Sequence, residues 1–210
     1  MSAAVSLEVE RKYDVGEDTP VPDWARLPGV ATVGAAEPRA LDARYFDTVD
    51  SRLAGALTAL RRRTGGPDEG WHVKRSTPEG KLETHWPLGE ALTDPDADPP
   101  VPDAIVAELA AVTDAPFAVI ARIRNDRVAY ALRGADGGVL AEFVDDHVHA
   151  TDLRRGVETR WREWELELGP AAPADPAARA ALFAAADALV VAAGGAPSAS
   201  GSKLGRALGA

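Results

Sequence analysis

Glu8, Glu10 and Lys12 recur at every second position of the segment Val-Ser-Leu-Glu-Val-Glu-Arg-Lys-Tyr-Asp-Val, residues 5–15. On a β-strand that spacing places all three on one face and leaves Leu7 and Val9 on the other. A second acidic stripe, Glu163, Glu165 and Glu167, alternates with Trp164, Leu166 and Leu168 near the far end of the chain. Between them lie stripes that mix or reverse the charge: Arg61 with Arg63, His72 with Lys74, and Lys81 with Glu83 and His85. Carboxylates hold hard divalent cations through oxygen, whereas Arg and Lys hold phosphoryl oxygens, Arg through a planar fork. Gathered around one hollow, the two sets would accept a polyphosphate together with the cation that bridges it. Such a ligand would neutralise charges whose burial alone is costly.

Any one of these stripes could be the solvated face of an antiparallel sheet. Their accumulation over many strands is what points inward. Period-2 segments occur at 5–15, 39–47, 57–64, 70–77, 80–88, 118–133, 138–149 and 158–168, which predicts eight strands. Gly65–Gly70, Pro78-Glu79-Gly80 and Gly134–Gly138 read as hairpin loops, so neighbouring strands pair antiparallel. A sheet of this size can close into a barrel, with its charged stripes lining the interior if helices cover the outside. Two amphipathic helices are available for that cover. Asp103 is placed to cap one over 104–112, with Ile105, Val106, Leu109 and Val112 as its stripe, after the proline-rich connection 93–103. The other runs over 177–193, with Leu182, Leu189 and Val190 inward and Gly194-Gly195 ending it. Residues 48–56 predict a brief helical turn, and a last helical piece carries Lys203 and Arg206 after the Gly/Ser/Pro stretch 194–202.

Length and composition fit a single domain over 1–210: the 210 residues are 46% hydrophobic, enough for one sizeable core. The absence of Cys excludes disulfides, thiolate nucleophiles and Cys-ligated metal. A net charge of −10 argues against general binding to nucleic acid or anionic membranes. It does not oppose a local cationic pocket, because the basic residues cluster within the predicted strands. No secretory layout and no apolar run of about 20 residues is seen, so a soluble, cytoplasmic protein is expected. No nucleophile triad, Walker loop or dinucleotide fingerprint occurs. His147 and His149 have the spacing of a strand-borne metal pair, but their parity opposes Asp146 and favours surface positions. Trp71 and Trp164 read as outer packing.

Five ordered motifs together resemble the CYTH family, the triphosphate tunnel metalloenzymes. They are Glu8-x-Glu10-x-Lys12, Tyr45-Phe46-Asp47-Thr48, Leu60-Arg61-x-Arg63, Trp71-His72-Val73-Lys74 and Glu163-x-Glu165. The resemblance implies a mainly β, α+β fold: an eight-stranded antiparallel β-barrel tunnel with flanking helices. It also implies binding of a triphosphate-containing small molecule with Mg²⁺ or Mn²⁺, and hydrolysis of tripolyphosphate to pyrophosphate and phosphate. Carried over position by position, it assigns phosphate binding to Lys12, Arg61, Arg63, Lys74 and the late basic Lys203. For the central basic position Arg127 ranks first and Arg124, of opposite strand parity, second. Glu8, Glu10, Asp146, Glu163 and Glu165 match metal-binding positions, with Asp145 leaving the register of Asp146 open. Glu83 and Glu142 match further acidic positions of the tunnel. Lys12 is also a candidate catalytic base, on the expectation that neighbouring cations lower its pKa. Alternative activities are those of a thiamine triphosphatase, an adenylyl cyclase of the same family or a non-catalytic polyphosphate- or nucleotide-binding module. Ala59 stands where the vertebrate thiamine enzyme's motif has an aromatic residue, which weighs against thiamine.

Overall fold

The computed structural model describes residues 3–89 and 97–209; residues 93–96 of the expected proline-rich connection lie outside them. Among the described residues eleven strands form one sheet: β1 (Ala4–Glu8), β2 (Glu10–Val15), β3 (Thr32–Val33), β4 (Glu37–Asp47), β5 (Thr58–Thr64), β6 (Gly70–Thr77), β7 (Gly80–Trp86), β8 (Ala118–Arg133), β9 (Val139–Asp152), β10 (Val157–Leu168) and β11 (Ala196–Pro197). Among the described residues four α-helices accompany them: α1 (Arg52–Gly55), α2 (Asp103–Leu109), α3 (Pro176–Ala193) and α4 (Lys203–Leu208). The order is β1-β7-β6-β5-β4-β8-β9-β10-β2-β11, with β3 attached to β8. All the pairings are antiparallel.

The segment expected as one strand over 5–15 is two strands, and the break has a topological role. β1 pairs with β7, Glu8 facing Lys81, while β2 pairs with β10, Lys12 facing Glu165. The chain therefore leaves one edge of the sheet at Val9 and joins the other, curling the sheet on itself. Leu168 N donates to Val9 O at 2.9 Å at the junction. Gly80 makes the close approach possible: its φ is 152°, and a Cβ there would lie 2.3 Å from Glu8 O.

The two faces of the curled sheet are chemically distinct because side chains alternate along every strand. On the outer face, Tyr13, Phe143, Trp164 and Leu166 are buried beneath Leu182, Phe183, Ala186 and Val190 of α3. Burying side chains of this size contributes roughly 1.5–3 kcal/mol each. Asp175 caps α3 by accepting from Ala178 N at 2.8 Å, and Gly194, with φ 97°, ends it. By length and composition α3 could cross a membrane, which the sequence reading did not anticipate. Here its Leu182, Phe183, Ala186 and Val190 pack on the sheet. Ile105 and Leu109 of α2 cover Leu60, Trp71, Val73 and Trp86. This helix stops at Leu109, short of the expected 112, and its N-cap is Pro102 rather than Asp103, which sits in the first turn. Trp71 and Trp164 are outer packing, as expected.

α4 packs on the opposite face. Leu204, Ala207 and Leu208 lie against Ala43, Tyr45, Ile123, Val148 and Ala150, residues that share strand parity with the charged stripes. It thus fills the apolar part of the concave interior. The short α1 is held by Asp47, which accepts from the N–H groups of Thr48, Leu53 and Ala54 at 2.7, 2.9 and 3.1 Å. That network fixes the corner from which β5 carries Arg61 and Arg63 inward.

Candidate active site

The concave face encloses a cavity of about 450 Å³, and distant segments of the chain line it. β1 and β2 supply Glu8, Glu10 and Lys12; β5 supplies Arg61 and Arg63; β6 and β7 supply Lys74 and Lys81. β8 adds Arg127, β9 adds Glu142, β10 adds Glu165 and Glu167, and Lys203 enters from the first turn of α4. The strand residues among them share the inward parity of their strands, whose opposite parity puts Tyr13 and Leu166 under α3 and Leu60 and Val73 under α2, while Lys203 enters from a helix.

One wall is organised around Lys74. Its Nζ lies 2.7 and 2.6 Å from the two Glu8 oxygens and 2.8 Å from Glu83 Oε2. Glu83 also lies 3.0 Å from His72 Nδ1 and 3.8 Å from Arg61 Nη2. Burial raises the Glu8 carboxyl above its ordinary range, and Lys74 only partly offsets this. Burial likewise opposes ionisation of Glu83, yet His72, Lys74 and Arg61 outweigh it and hold this carboxyl low. His72, fully buried, is pushed down to about 4 by burial, with Arg61 and Arg63 adding to the effect against Glu83.

The other wall contains a compact carboxylate triad. Oxygens of Asp146, Glu163 and Glu165 lie within 4.8 Å of one another. Lys203 Nζ stands among them, 2.9 Å from Asp146, 2.6 Å from Glu163 and 2.7 Å from Glu165. Arg127 forks onto Asp146 at 2.7 Å through both Nε and Nη2 and reaches Glu165 at 3.0 Å. Lys12 pairs with Glu165 and lies 3.2 Å from Glu10, which also takes Lys81 at 2.6 Å. Burial disfavours the charged form of Lys203, but Asp146, Glu165 and Glu163 together raise its pKa. The triad offers oxygen donors only, the set that suits Mg²⁺ or Mn²⁺, and an ammonium already sits among them. The residues present therefore fit a divalent cation.

Several expectations meet this geometry directly. Lys12, Arg61, Arg63, Lys74, Arg127, Lys203, Glu8, Glu10, Glu142 and Glu165 all line the cavity. Glu83, Asp146 and Glu163 stand behind that lining, each in contact with a lining cation. The alternative position Arg124 is corrected: it is exposed, because β8 runs without a bulge from Arg124 to Arg127 and parity turns it outward. Parity also separates Asp146 from Asp145, whose carboxylate takes both Arg162 Nε and Nη2 at 2.8 Å outside the cavity. Glu8 and Glu10 are not part of the compact triad; they belong to the adjoining wall, ion-paired to Lys74 and to Lys81 with Lys12. The expectation of a lowered pKa at Lys12 fails. Burial and Lys203 act in that direction, but Glu165, Glu10 and Glu163 outweigh them and raise it. The carboxylates around Lys12 thus favour its charged form in this geometry. His147 is exposed, and His149 pairs at 3.3 Å with Glu158 on the outside.

Arg39, Tyr45 and Glu167 are among the cavity residues that escaped the sequence reading. Arg39 donates to both oxygens of Glu142, at 2.9 and 3.0 Å. Its parity with Tyr45 along β4 was a usable signal. Tyr45 itself faces Arg61; burial opposes ionisation of its hydroxyl, but Arg61, Lys74 and Lys203 outweigh this and lower its pKa. Glu167, across β2 from Glu10, is raised to about 7 by burial and by Glu8, Glu10 and Glu165. Its stripe was recognised, its place in the cavity was not.

The CYTH domain model matches residues 6–189. Uncharacterized proteins from two strains of Mycobacterium tuberculosis, CDC 1551 and H37Rv, are each 40% identical to the chain over 97% of its length. The chain spans about two fifths of those relatives, 40% of each. Among solved structures, a provisionally named adenylate cyclase from Bacillus halodurans superposes with a TM-score of 0.59 at 18% identity, over 96% of this chain and 97% of that one. A provisionally named adenylyl cyclase from Hippeastrum, with a dominant triphosphatase activity, gives 0.54 at 16% identity, over 97% and 96%. These likenesses establish the fold, and the family match together with the ordered motifs now seen around one cavity places the chain in the CYTH domain family.

Proposed function

We propose that this protein hydrolyses inorganic triphosphate to pyrophosphate and phosphate in a divalent-metal-dependent reaction. The family acts on triphosphate or nucleotide substrates and is divalent-metal dependent. The observation that carries the proposal is the convergence of opposite charges from both ends of the chain: Glu8 and Lys12 with Arg61, Arg63, Lys74, Arg127 and Lys203 around one cavity. An anion with several phosphoryl groups can engage all of the cations at once, and a monoanion cannot.

Arg61, Arg63 and Lys74 on one wall and Lys12, Arg127 and Lys203 on the other would grip successive phosphoryl groups. The placement of all but Lys203 on hydrogen-bonded strands supplies orientation without a further cost in order. A divalent cation, Mg²⁺ or Mn²⁺, would be held by Asp146, Glu163 and Glu165, with Glu8 and Glu10 on the adjoining wall, and would neutralise phosphate charge. Lys12 acts as a phosphate-binding cation. The balance of charges, rather than any one nucleophile, provides the chemistry.

A second reading has its own observation. Leu41, Ala54, Leu57, Ile123, Leu204 and Leu208 give the cavity an apolar side that inorganic triphosphate would leave uncontacted. Leu57 is 69% exposed and holds a left-handed φ of 51°. This side favours a triphosphate ester, as in a thiamine triphosphatase or an adenylyl cyclase. Phosphate and pyrophosphate release from tripolyphosphate, thiamine triphosphate and ATP, each with Mg²⁺ or Mn²⁺, separates the readings. Phosphate release fastest from tripolyphosphate supports the first, and a clear preference for an ester supports the second. Tight binding of tripolyphosphate with no product would make the protein a binding module instead.

A further inference from the structure

The carboxylate triad is not simply acidic. Three cations, Lys12, Arg127 and Lys203, contact its three carboxylates, so the formal charge of the cluster is already balanced. Asp146 is fully buried and the Lys203 side chain is 12% exposed, so water screens the group poorly. A dication added to this cluster would leave an excess of two positive charges in a low-dielectric site. Withdrawing one resident cation halves that excess, and the negative charge of a bound phosphate chain offsets the rest.

The structure distinguishes the three. Arg127 is directly opposite Asp146 in the β8–β9 ladder and forks onto it, so its position is set by the sheet. Lys12 is directly opposite Glu165 in the β2–β10 ladder. Lys203 belongs to no strand. It opens a helix of six residues that follows the Ser200-Gly201-Ser202 link, and its ammonium alone contacts all three carboxylates. Its four-carbon stem can swing while Leu204, Ala207 and Leu208 remain seated and Arg206 stays on Asp14 at 2.6 Å.

We propose that Lys203 and the divalent cation exclude one another from the Asp146–Glu163–Glu165 triad, so that the cation binds together with the triphosphate, whose oxygens receive the displaced ammonium. Lys203 thus serves as an internal placeholder for the cation and then as a phosphate ligand. This rests on the triphosphate reading above, but its central claim, competition between an ammonium and a dication, is measurable without turnover. The ligands couple for an electrostatic reason: the phosphate chain brings the negative charge that receives the ammonium of Lys203 as it leaves the triad to the dication.

The experiment is calorimetric titration of metal-free protein with Mn²⁺ alone, comparing the unaltered chain with Lys203→Met and Lys203→Arg. Lys203→Met is expected to bind Mn²⁺ at least tenfold more tightly than the unaltered chain, and Lys203→Arg to stay within a few-fold of it. In the unaltered protein labelled with ¹⁵N-lysine, the ammonium signal of Lys203 is expected to shift or broaden as Mg²⁺ saturates. Mn²⁺ affinity unchanged or weakened in a folded Lys203→Met would overturn the proposal. So would a Lys203 signal indifferent to saturating Mg²⁺, a measurement that needs no variant. Competition without phosphate release from any triphosphate would uphold the placeholder and sink the hydrolase; release without competition would do the reverse.

Discussion

Glu8 and Lys74 are 66 residues apart in the chain and joined by two hydrogen bonds, of 2.7 and 2.6 Å, across the junction of β1 with the β6–β7 hairpin. The pair ties the acidic N-terminal motif to the basic wall. Lys74 also carries Glu83, so its removal takes a cation from two carboxylates, the half-buried Glu8 and the buried Glu83. Lys74→Met is expected to destabilise the metal-free protein by about 2–4 kcal/mol, the usual consequence of leaving partners of a buried ion pair uncompensated. Chemical denaturation of Lys74→Met against Lys74→Met/Glu83→Gln checks this. The double variant should recover part of the loss, and an equal loss in both would show that Glu83 is not what is stranded.

Lys12 provides the sharpest test of mechanism. Its ammonium is stabilised by Glu165, Glu10 and Glu163, so it should bind phosphate and not exchange protons near neutral pH. Lys12→Ala is expected to lower kcat/KM for tripolyphosphate by roughly 10²–10³-fold, the scale of losing one well-placed electrostatic contact. Lys12→Arg should keep the pH–rate profile of the unaltered enzyme even if its rate falls. A limb of the profile that disappears in Lys12→Arg would restore the base.

His72 sets an acid limb of stability. Its folded pKa of about 4 lies below the ordinary 6.5, so the unfolded chain binds more protons between these values and stability rises with pH across that window. Below pH 6.5 the contribution is progressively lost, until the folded group itself protonates near 4. Between pH 7.5 and 5 this amounts to about 2 kcal/mol, at 1.36 kcal/mol per unit over the roughly 1.5 units below 6.5. Carboxylates held low in the fold act in the same direction at more acid pH, whereas Glu167, raised to about 7, opposes the effect of His72 within this window. The His72→Asn variant, which keeps a donor toward Glu83, should lose about 2 kcal/mol less than the unaltered chain on going from pH 7.5 to 5. An unchanged slope would mean that His72 is charged in the fold.

Gly80 tests the closure of the sheet. Gly80→Ala would bring a Cβ to 2.3 Å from Glu8 O at a φ of 152°, and backbone has to shift because the contact is with backbone. A loss of at least about 1–3 kcal/mol is expected from strain of this kind. Because the atom in the way belongs to Glu8, tripolyphosphate affinity in the presence of Mg²⁺ should fall in the same variant. Gly137→Ala, also at positive φ but with open space around it, should show strain without the change in affinity.

The alternation of charged and apolar residues made most of this protein legible from its chain. Parity along the 5–15, 57–64, 70–77 and 158–168 segments is a local property, dictated by strand geometry, and it sorted Glu8, Glu10, Lys12, Arg61, Arg63, Lys74 and Glu165 onto the cavity side. Arg127, ranked above Arg124 on the resemblance of Arg127-x-x-Tyr130 to a family motif, lines the cavity, and Arg124 is exposed. What periodicity could not show was which edge each strand meets. Glu8 belongs with Lys74 and Lys12 with Glu165 only because the chain crosses between sheet edges at Val9, a fact set by pairing between residues more than 60 positions apart. The Lys12 pKa was misjudged for the same reason: its sign depends on whether Glu165 or an arginine is the nearer neighbour, and distance in space is not written in spacing along the chain. Lys203 is the clearest case. Its charge is evident in the sequence, but its place inside a carboxylate triad exists only once α4 has turned back into the barrel, where the interior it covers is apolar.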